Sequence, residues 1–197
     1  EVKVIVHVVR LFSDPNIVHV HEGIDPKNDI DTIESELMLA DLATLEKQPK
    51  GSPPIFDQVK EALNQGTPVR NQILSDEDKD LITPLNLLTL KPVIYLGNVD
   101  ERQLAQPPQL NYQPHLYLCA KLEAEMVDFS PSEQQQILTQ YGLTETGLNR
   151  LIKVAYGTLG LMSFLTAGKL EARAWTIAKN IPAQEAAGVI HTDFIKN

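Results

Sequence analysis

Residues 93–101 have the sequence VIYLGNVDE, in which the apolar segment Val93–Gly97 is followed at once by the polar segment Asn98–Glu101. An apolar run without polar alternation is typical of a strand that is buried on both faces, as the strands of parallel sheets are. In α/β proteins, ligands bind at the carboxyl ends of such strands. The stretch therefore predicts a parallel sheet with a candidate binding site at its edge.

Two further segments predict strands. Val2–Val9 (VKVIVHVV) is almost entirely β-branched, which favours a strand buried on both faces. His115–Cys119 (HLYLC) is the third, and it leads directly into Ala120 and Lys121. Because helical segments separate or follow these strands, the predicted fold class is α/β with a parallel sheet.

Helix signals lie between and after the strands. Asn28 or Asp29 is predicted to cap a helix that ends near Gln48, and Ser130–Glu133 (SPSE) forms a capping box for a helix that should stop at Gly142. The other predicted elements are a short helix at Ile55–Leu63, a helix start capped by Ser75, a helix from Thr144 or Thr146 to Gly160, an alternating strand at Glu171–Ile177 and a short helix at Pro182–Ala187. The change to alternation after Gly168 predicts a domain boundary near Ala167.

Composition limits the classes of function. The chain has 197 residues, of which 43% are apolar and 22% charged, as expected for a globular protein with a real core. Its formal net charge of −9 argues against a protein whose main task is to wrap DNA or an anionic membrane, although a local basic patch remains compatible. A single cysteine, Cys119, and no apolar run of about 18 residues predict a cytoplasmic protein without a structural metal site.

The polar segment after the central strand has chemistry suited to a purine base. The Asn98 carboxamide offers a donor and an acceptor, and a carboxylate three residues later, Glu101, can accept from ring or exocyclic N–H groups. Guanine-specific P-loop GTPases have Asn-Lys-x-Asp at this point, whereas Val99 and Glu101 replace the Lys and Asp here. Guanine selectivity is therefore not expected. A motif of four residues is weak by itself, and a polar turn after a strand is its more common explanation.

Longer strings of sequence carry a resemblance to a known family. These strings are PVIYLGNVDE (92–101), CAKLEAE (119–125), YGLTETGLNR (141–150), FLTAGKLEARAWTI (164–177) and AAGVIHTDF (186–194), together with HVVRLF (7–12), NIVHV (16–20), DPKNDI (25–30) and ELMLADL (36–42). In this order they resemble the YchF-type Obg-like ATPases, a branch of the Obg-related P-loop GTPases.

The resemblance implies a purine-nucleotide hydrolase that takes ATP as its substrate, with GTP as a second substrate left open. At matching positions, Asn98, Val99 and Glu101 would frame the adenine, and a second base-contacting loop would be formed by Cys119, Ala120 and Lys121. His19 matches a loop histidine that would promote hydrolysis by positioning the attacking water. Without the resemblance, a lone loop histidine is more often a surface residue.

The chain lacks the phosphate-binding part of such an enzyme. No G-x-x-x-x-G-K-[ST] motif occurs, and Gly168-Lys169 is not one because Leu170 follows it and Ser163 replaces the first glycine. The resemblance implies Mg²⁺ in the parent protein, with ligands that are not in this chain. We therefore do not expect the chain alone to hydrolyse nucleotides.

The resemblance also implies a domain organisation. Residues 1–41 and 69–166 would form part of a nucleotide-binding domain, residues 42–68 a shortened helical arm, and residues 167–197 the start of a β-grasp TGS domain. The fold expected is thus the C-terminal part of a P-loop NTPase sheet with an arm and a partial TGS module. Because the joints near 48–54 and 102–114 are short, we expect the sequence to be a subset of a longer protein, with residues absent there and beyond both ends.

Two functions remain open from the sequence. One is an ATPase in which this chain supplies base recognition. The alternative is a non-catalytic module whose nucleotide state switches contact with the ribosome or a protein partner through the arm and the TGS domain. Membrane and direct DNA binding are not expected, nor is a metal site at His19-Val-His21-Glu22, which lacks further ligands at suitable spacing. Neither the nucleotide preference nor the oligomeric state follows from the sequence.

Overall fold

A computed structural model describes residues 2–14, 23–168 and 171–196. The chain divides into two compact units, 1–144 and 145–197. Within the described residues, the first unit contains a three-stranded sheet and the second a two-stranded sheet. No helix in these residues combines the length and the apolar character that a membrane span requires.

The first unit is built on a parallel sheet, as predicted. Its strands β1 (Ile5–Arg10), β2 (Val93–Asn98) and β3 (His115–Leu118) lie in the order β1-β2-β3. All strand pairs are parallel, and the first five residues of β2 are buried. The apolar run at 93–97 therefore forms the central strand of the described sheet, which places Asn98 at its carboxyl end.

The prediction for β1 is wrong in one respect. Val9 is buried, but Val6 and Val8 on the opposite face are 36% and 59% exposed. Within the described residues β1 lies at the edge of the sheet. A β-branched run predicts a strand because both faces favour extended backbone, but it does not say which face other elements cover.

The helices of the first unit are α1 (Pro26–Glu46), α2 (Ile55–Asn64), α3 (Asp76–Ile82), α4 (Ala120–Glu125) and α5 (Pro131–Gln140). The predicted cap of α1 is wrong: Asp25, not Asn28 or Asp29, caps the helix, and its carboxylate accepts the Asn28 N–H at 3.1 Å. Proline fits the first helical position because its missing N–H would have no helical partner there. The capping box of α5 is confirmed, since Glu133 accepts the Ser130 N–H at 2.8 Å.

Two hydrophobic cores stabilise the first unit. One lies against the sheet, and the other is formed mainly by α2 and the segments around α3. Helix α1 contributes to both, through Ile30 near its start and Leu45 near its end. Helices α1 and α2 pack against each other.

The connection from β2 to β3 contains a 3₁₀ turn, Glu101–Gln103, and no α-helix. Leu104 and Leu110 from this connection are buried in the sheet core. The Leu110 N–H donates to the Tyr117 hydroxyl at 2.9 Å. The two buried leucines and this hydrogen bond thus hold the connection against the sheet, in the position that a crossover helix commonly takes between parallel strands.

The second unit contains α6 (Gly147–Thr158), β4 (Leu161–Ala167), β5 (Ala172–Ala178), α7 (Ala183–Gly188) and α8 (Asp193–Lys196). Strands β4 and β5 are antiparallel, with Phe164 opposite Trp175. Helix α6 packs on β4, and the division into compact units accordingly precedes α6. The module bounds inferred from sequence, with a change at 166/167, stay a prediction.

Candidate functional site

A crevice of about 370 Å³ lies at the carboxyl end of the parallel sheet. It is lined by Phe12, Ser13, Asp14, Asn98, Val99, Asp100, Glu101, Arg102, Cys119 and Lys121. These residues come from the segments that follow all three strands of the sheet. Its volume is within the range of small-molecule sites, and its position is the one that α/β sheets use for ligands.

Asn98 connects two of these segments. Its side-chain Oδ1 accepts the Ala120 N–H at 3.0 Å, and its backbone carbonyl accepts the Leu11 N–H at 2.8 Å. The carboxamide oxygen is therefore engaged at the start of α4. Nδ2 carries the two N–H donors that this side chain can offer to a ligand.

Glu101 lies between a lysine and a tyrosine. The Lys121 ammonium contacts Glu101 Oε1 at 3.0 Å, and the Tyr141 hydroxyl donates to Oε2 at 3.3 Å. The hydrogen bond and charge of Lys121 lower the pKa of Glu101, and Glu101 in turn raises the pKa of Lys121. Because the Lys121 side chain is 72% exposed, the ion pair adds little stability and serves chiefly to orient the carboxylate.

A tight turn fixes the position of Glu101 in the chain. The Asp100 carboxylate accepts the N–H groups of Arg102 at 2.8 Å and of Gln103 at 3.0 Å. The Gln103 amide donates to the Leu11 carbonyl at 3.1 Å, which connects this turn to the end of β1. Hydrogen bonds within the turn and to the end of β1 therefore hold Glu101 in place.

The structure brings together most of the residues predicted from sequence. Asn98, Glu101 and Lys121 line the crevice with polar groups. Val99 and Cys119 also line it but are nearly inaccessible, so they form its wall. Ala120 contributes through its backbone N–H to Asn98. The predicted contacts of these six residues with a base stay predictions, and His19 lies outside the described residues.

Sequence reasoning missed the contributions of Phe12 and Tyr141. The Arg10 guanidinium lies 4.9 Å from the Phe12 ring centroid and donates to the Phe12 carbonyl at 3.0 Å, which orders the end of β1 beside the crevice. Tyr141 begins one of the strings that carry the family resemblance. That position was the only signal for it, since its contact with Glu101 spans forty residues.

A metal centre would need several ligating side chains close together. The described ranges contain no group of three or more His, Cys, Asp or Glu side chains that could hold an ion. The hydroxyl-bearing motif that binds Mg²⁺ in P-loop enzymes is absent from the sequence as well.

Known proteins provide an independent comparison. A family model described as YchF-GTPase_C, "Protein of unknown function (DUF933)", matches residues 161–197. The ribosome-binding ATPase YchF of Bacillus subtilis is 38% identical over 220 residues, which cover 98% of this chain and 60% of that protein. A solved structure of the Schizosaccharomyces pombe YchF GTPase covers 99% of this chain and 60% of its own, with a TM-score of 0.80 and 30% identity. The chain belongs to the YchF family.

Membership confirms the predicted fold class for this YchF chain: a parallel α/β sheet followed by the start of the C-terminal region that is the TGS domain in the family. The ribosome-binding ATPase YchF of Haemophilus influenzae is 36% identical over 219 residues, covering all of this chain and 60% of the relative. The chain thus spans about 60% of the length of the relatives that it matches.

Proposed function

We propose that the chain supplies the base-recognition half of a purine-nucleotide hydrolase of the Obg-like type, which converts ATP to ADP. The convergence of Asn98, Glu101 and Lys121 on one crevice at the carboxyl end of the sheet carries this proposal. The names of two relatives add support, because the proteins from B. subtilis and H. influenzae are called ATPases.

The geometry suits a purine ring. The Asn98 Oδ1 already accepts the Ala120 N–H, and Nδ2 supplies N–H donors that can reach an acceptor on a base in the crevice. N7 is an acceptor in both adenine and guanine, so a donor at this position selects purines without distinguishing them. Adenine and guanine differ at the Watson–Crick edge, and Glu101 is the residue of the motif that we expect to distinguish them there.

Phosphate and Mg²⁺ binding are proposed for the intact protein and not for this chain, because the phosphate-binding motif is absent from the sequence. When bound, Mg²⁺ would neutralise charge that develops on the transferred phosphoryl group. The residues of this chain would hold the base and so position the nucleotide. GTP as a second substrate and the cytoplasm as the location are parts of the same proposal.

The base-site proposal is tested by Asn98→Ala in the intact protein. Loss of the N7 donor and of the Asn98–Ala120 hydrogen bond should weaken ATP affinity by about tenfold or more. Asn28→Ala, on the exposed surface of α1, is the matched control and should bind as wild type does. Equilibrium titration with a fluorescent ATP analogue measures both, and wild-type affinity for Asn98→Ala would refute the base site.

His19 is proposed, from the family resemblance, to position the attacking water. His19→Ala should then lower turnover at saturating ATP by at least tenfold and leave ATP affinity close to the wild-type value. Phosphate release and equilibrium binding, measured on the same preparation, separate the two effects. A wild-type turnover rate would remove His19 from the mechanism.

A nucleotide-switched binding module is the second candidate. The relatives' name, ribosome-binding ATPase, favours this function because it names a partner as well as an activity. In this version the nucleotide state sets the affinity for the ribosome, and hydrolysis resets it. The two functions are compatible, since the same base crevice would serve both.

A further inference from the structure

We propose that Tyr141 is a positioning residue that sets the preference between adenine and guanine by holding the Glu101 carboxylate. This inference rests on the proposed function, because it assumes that the base binds beside Glu101. It adds a residue and a specificity role that lie outside the N-x-x-E motif.

Glu101 is held from two directions. Lys121 donates to Oε1 at 3.0 Å and Tyr141 donates to Oε2 at 3.3 Å, so each carboxylate oxygen already accepts a hydrogen bond from the protein. Glu101 is partly shielded, with 33% of its side chain exposed, whereas Lys121 is largely in solvent. Because Lys121 is largely exposed, we expect it to restrain the direction of the carboxylate less than a tyrosine that packs against the core does.

Tyr141 is such a fixed residue. It caps the C-terminus of α5, where its N–H donates to the Leu138 carbonyl at 3.0 Å. Gly142 follows with φ of +70°, which allows the Leu143 N–H to return to the same Leu138 carbonyl at 2.9 Å. The Tyr141 ring also packs against the sheet core. The helix end therefore presents the hydroxyl from a defined position.

The two purines place opposite demands on this carboxylate. The Watson–Crick edge of guanine has two kinds of N–H donor, at N1 and N2, which match a carboxylate that faces the base. Adenine has an acceptor at N1 beside its N6 amino donor, so a carboxylate that faces this edge would put one of its oxygens against an acceptor. A carboxylate held toward Tyr141 and Lys121 avoids that repulsion and offers guanine fewer free lone pairs.

Tyr141→Phe tests the inference because it removes the hydroxyl and keeps the ring. We expect the ratio of the GTP to the ATP dissociation constant to fall by about three- to tenfold, the size of one net hydrogen bond. Tyr156→Phe in α6, whose hydroxyl bonds Thr176 at 3.2 Å, is the control and should leave the ratio unchanged. Titrations of the intact protein with both nucleotides give the ratio.

Two outcomes would overturn the inference: an unchanged ratio, or an equal loss of both affinities, which would indicate a merely structural role. A double-mutant cycle with Glu101→Gln gives a second test, since Tyr141→Phe should no longer alter the ratio once the carboxylate is gone. Asn98→Ala keeps the two proposals distinguishable. If that variant binds both nucleotides normally, the base site itself fails; if it loses both while Tyr141→Phe keeps the wild-type ratio, only the role of Tyr141 fails.

Discussion

Asp41 is an acidic residue of α1 that is only 1% exposed, and its side chain binds the segment that precedes β2. Its carboxylate accepts the N–H groups of Leu88 at 2.6 Å and Thr89 at 2.7 Å, and the Thr89 hydroxyl at 2.6 Å. The Thr89 hydroxyl in turn accepts the Val69 N–H at 3.1 Å. Three hydrogen bonds compensate the carboxylate for the loss of water on burial. The three donors in turn have the carboxylate as their acceptor.

Replacing Asp41 should therefore be costly. Asp41→Ala leaves the buried Thr89 N–H and the partly buried Leu88 N–H without this acceptor, and we expect the free energy of unfolding to fall by about 3 kcal/mol. Urea denaturation followed by circular dichroism measures the change. Asp57→Ala removes a carboxylate that is 84% exposed and should cost less than about 0.5 kcal/mol. Similar losses for the two variants would contradict the role of the Asp41 network.

His7 is the second buried polar residue with a testable consequence. Its Nδ1 is buried without a hydrogen-bond partner, and burial lowers the pKa of the imidazole, although Glu34 and Asp29 act to raise it and Arg70 to lower it. The unfolded chain thus binds a proton more readily than the folded one. Stability should be full above the ordinary histidine pKa and fall as the pH drops below about 6.5.

His7→Leu should flatten this pH dependence. We expect the loss of stability between about pH 7.5 and pH 5.5 to be smaller in the variant than in wild type, because no proton can be taken up at this position on unfolding. His191→Gln changes an exposed histidine and serves as the control. Urea midpoints at the two pH values provide the comparison, and parallel pH profiles for wild type and His7→Leu would refute the assignment.

At the scale of elements, β2 depends on the absence of a side chain at Gly97. A Cβ there would lie 2.6 Å from Tyr117 Cδ1 and 2.7 Å from Leu11 Cδ1, both on segments that adjoin the crevice. Gly97→Ala should destabilise the protein by about 1–3 kcal/mol and weaken ATP binding, because the strand ends must move apart. Gly157→Ala in α6 meets nothing within 4 Å and should be neutral or stabilising by up to about 1 kcal/mol. Thermal unfolding of both variants tests the predicted opposite signs.

The elements also show what local sequence can and cannot predict. β2, the capping box of α5 and the stop at Gly142 were predictable because each depends on residues adjacent in sequence. The exposure of Val8 was not, since it depends on what covers the outer face of the sheet. Strand β4 escaped prediction as well, because Leu161–Ala167 alternates poorly between apolar and polar residues.

The candidate site follows the same division. The positions of Asn98 and Lys121 were predictable because each follows a recognisable strand, and parallel strands bring their carboxyl ends to one edge. The Tyr141–Glu101 hydrogen bond was not predictable, because it joins a helix end to a distant turn. A pattern of neighbouring residues cannot indicate a contact between side chains forty positions apart in the sequence.

Charge is distributed unevenly over the whole chain. Residues 145–197 contain six Lys or Arg and four Asp or Glu, a net charge of +2, whereas residues 1–144 contain 11 and 22, a net charge of −11. Binding to RNA depends mainly on contacts between cations and phosphates, so a ribosomal contact would be far less favourable for the acidic unit. Within the second unit, Arg173 and Lys179 are exposed on and just after β5, and Arg173 lies over the Trp175 ring at 4.2 Å.

We therefore expect the second unit to carry the ribosomal contact of the second proposed function. Arg173→Glu combined with Lys179→Glu should lower co-sedimentation of the intact protein with ribosomes at least fivefold, and raising the salt concentration should weaken the wild-type contact in the same direction. The control is Lys27→Glu with Lys79→Glu, which makes the same change in charge at exposed positions of the acidic unit outside the predicted arm and should have little effect. If nucleotide state switches the contact, a non-hydrolysable ATP analogue should change wild-type co-sedimentation but not that of Asn98→Ala. Equal losses for both charge-reversal pairs would show that net charge alone governs the interaction, and would contradict a contact through the second unit.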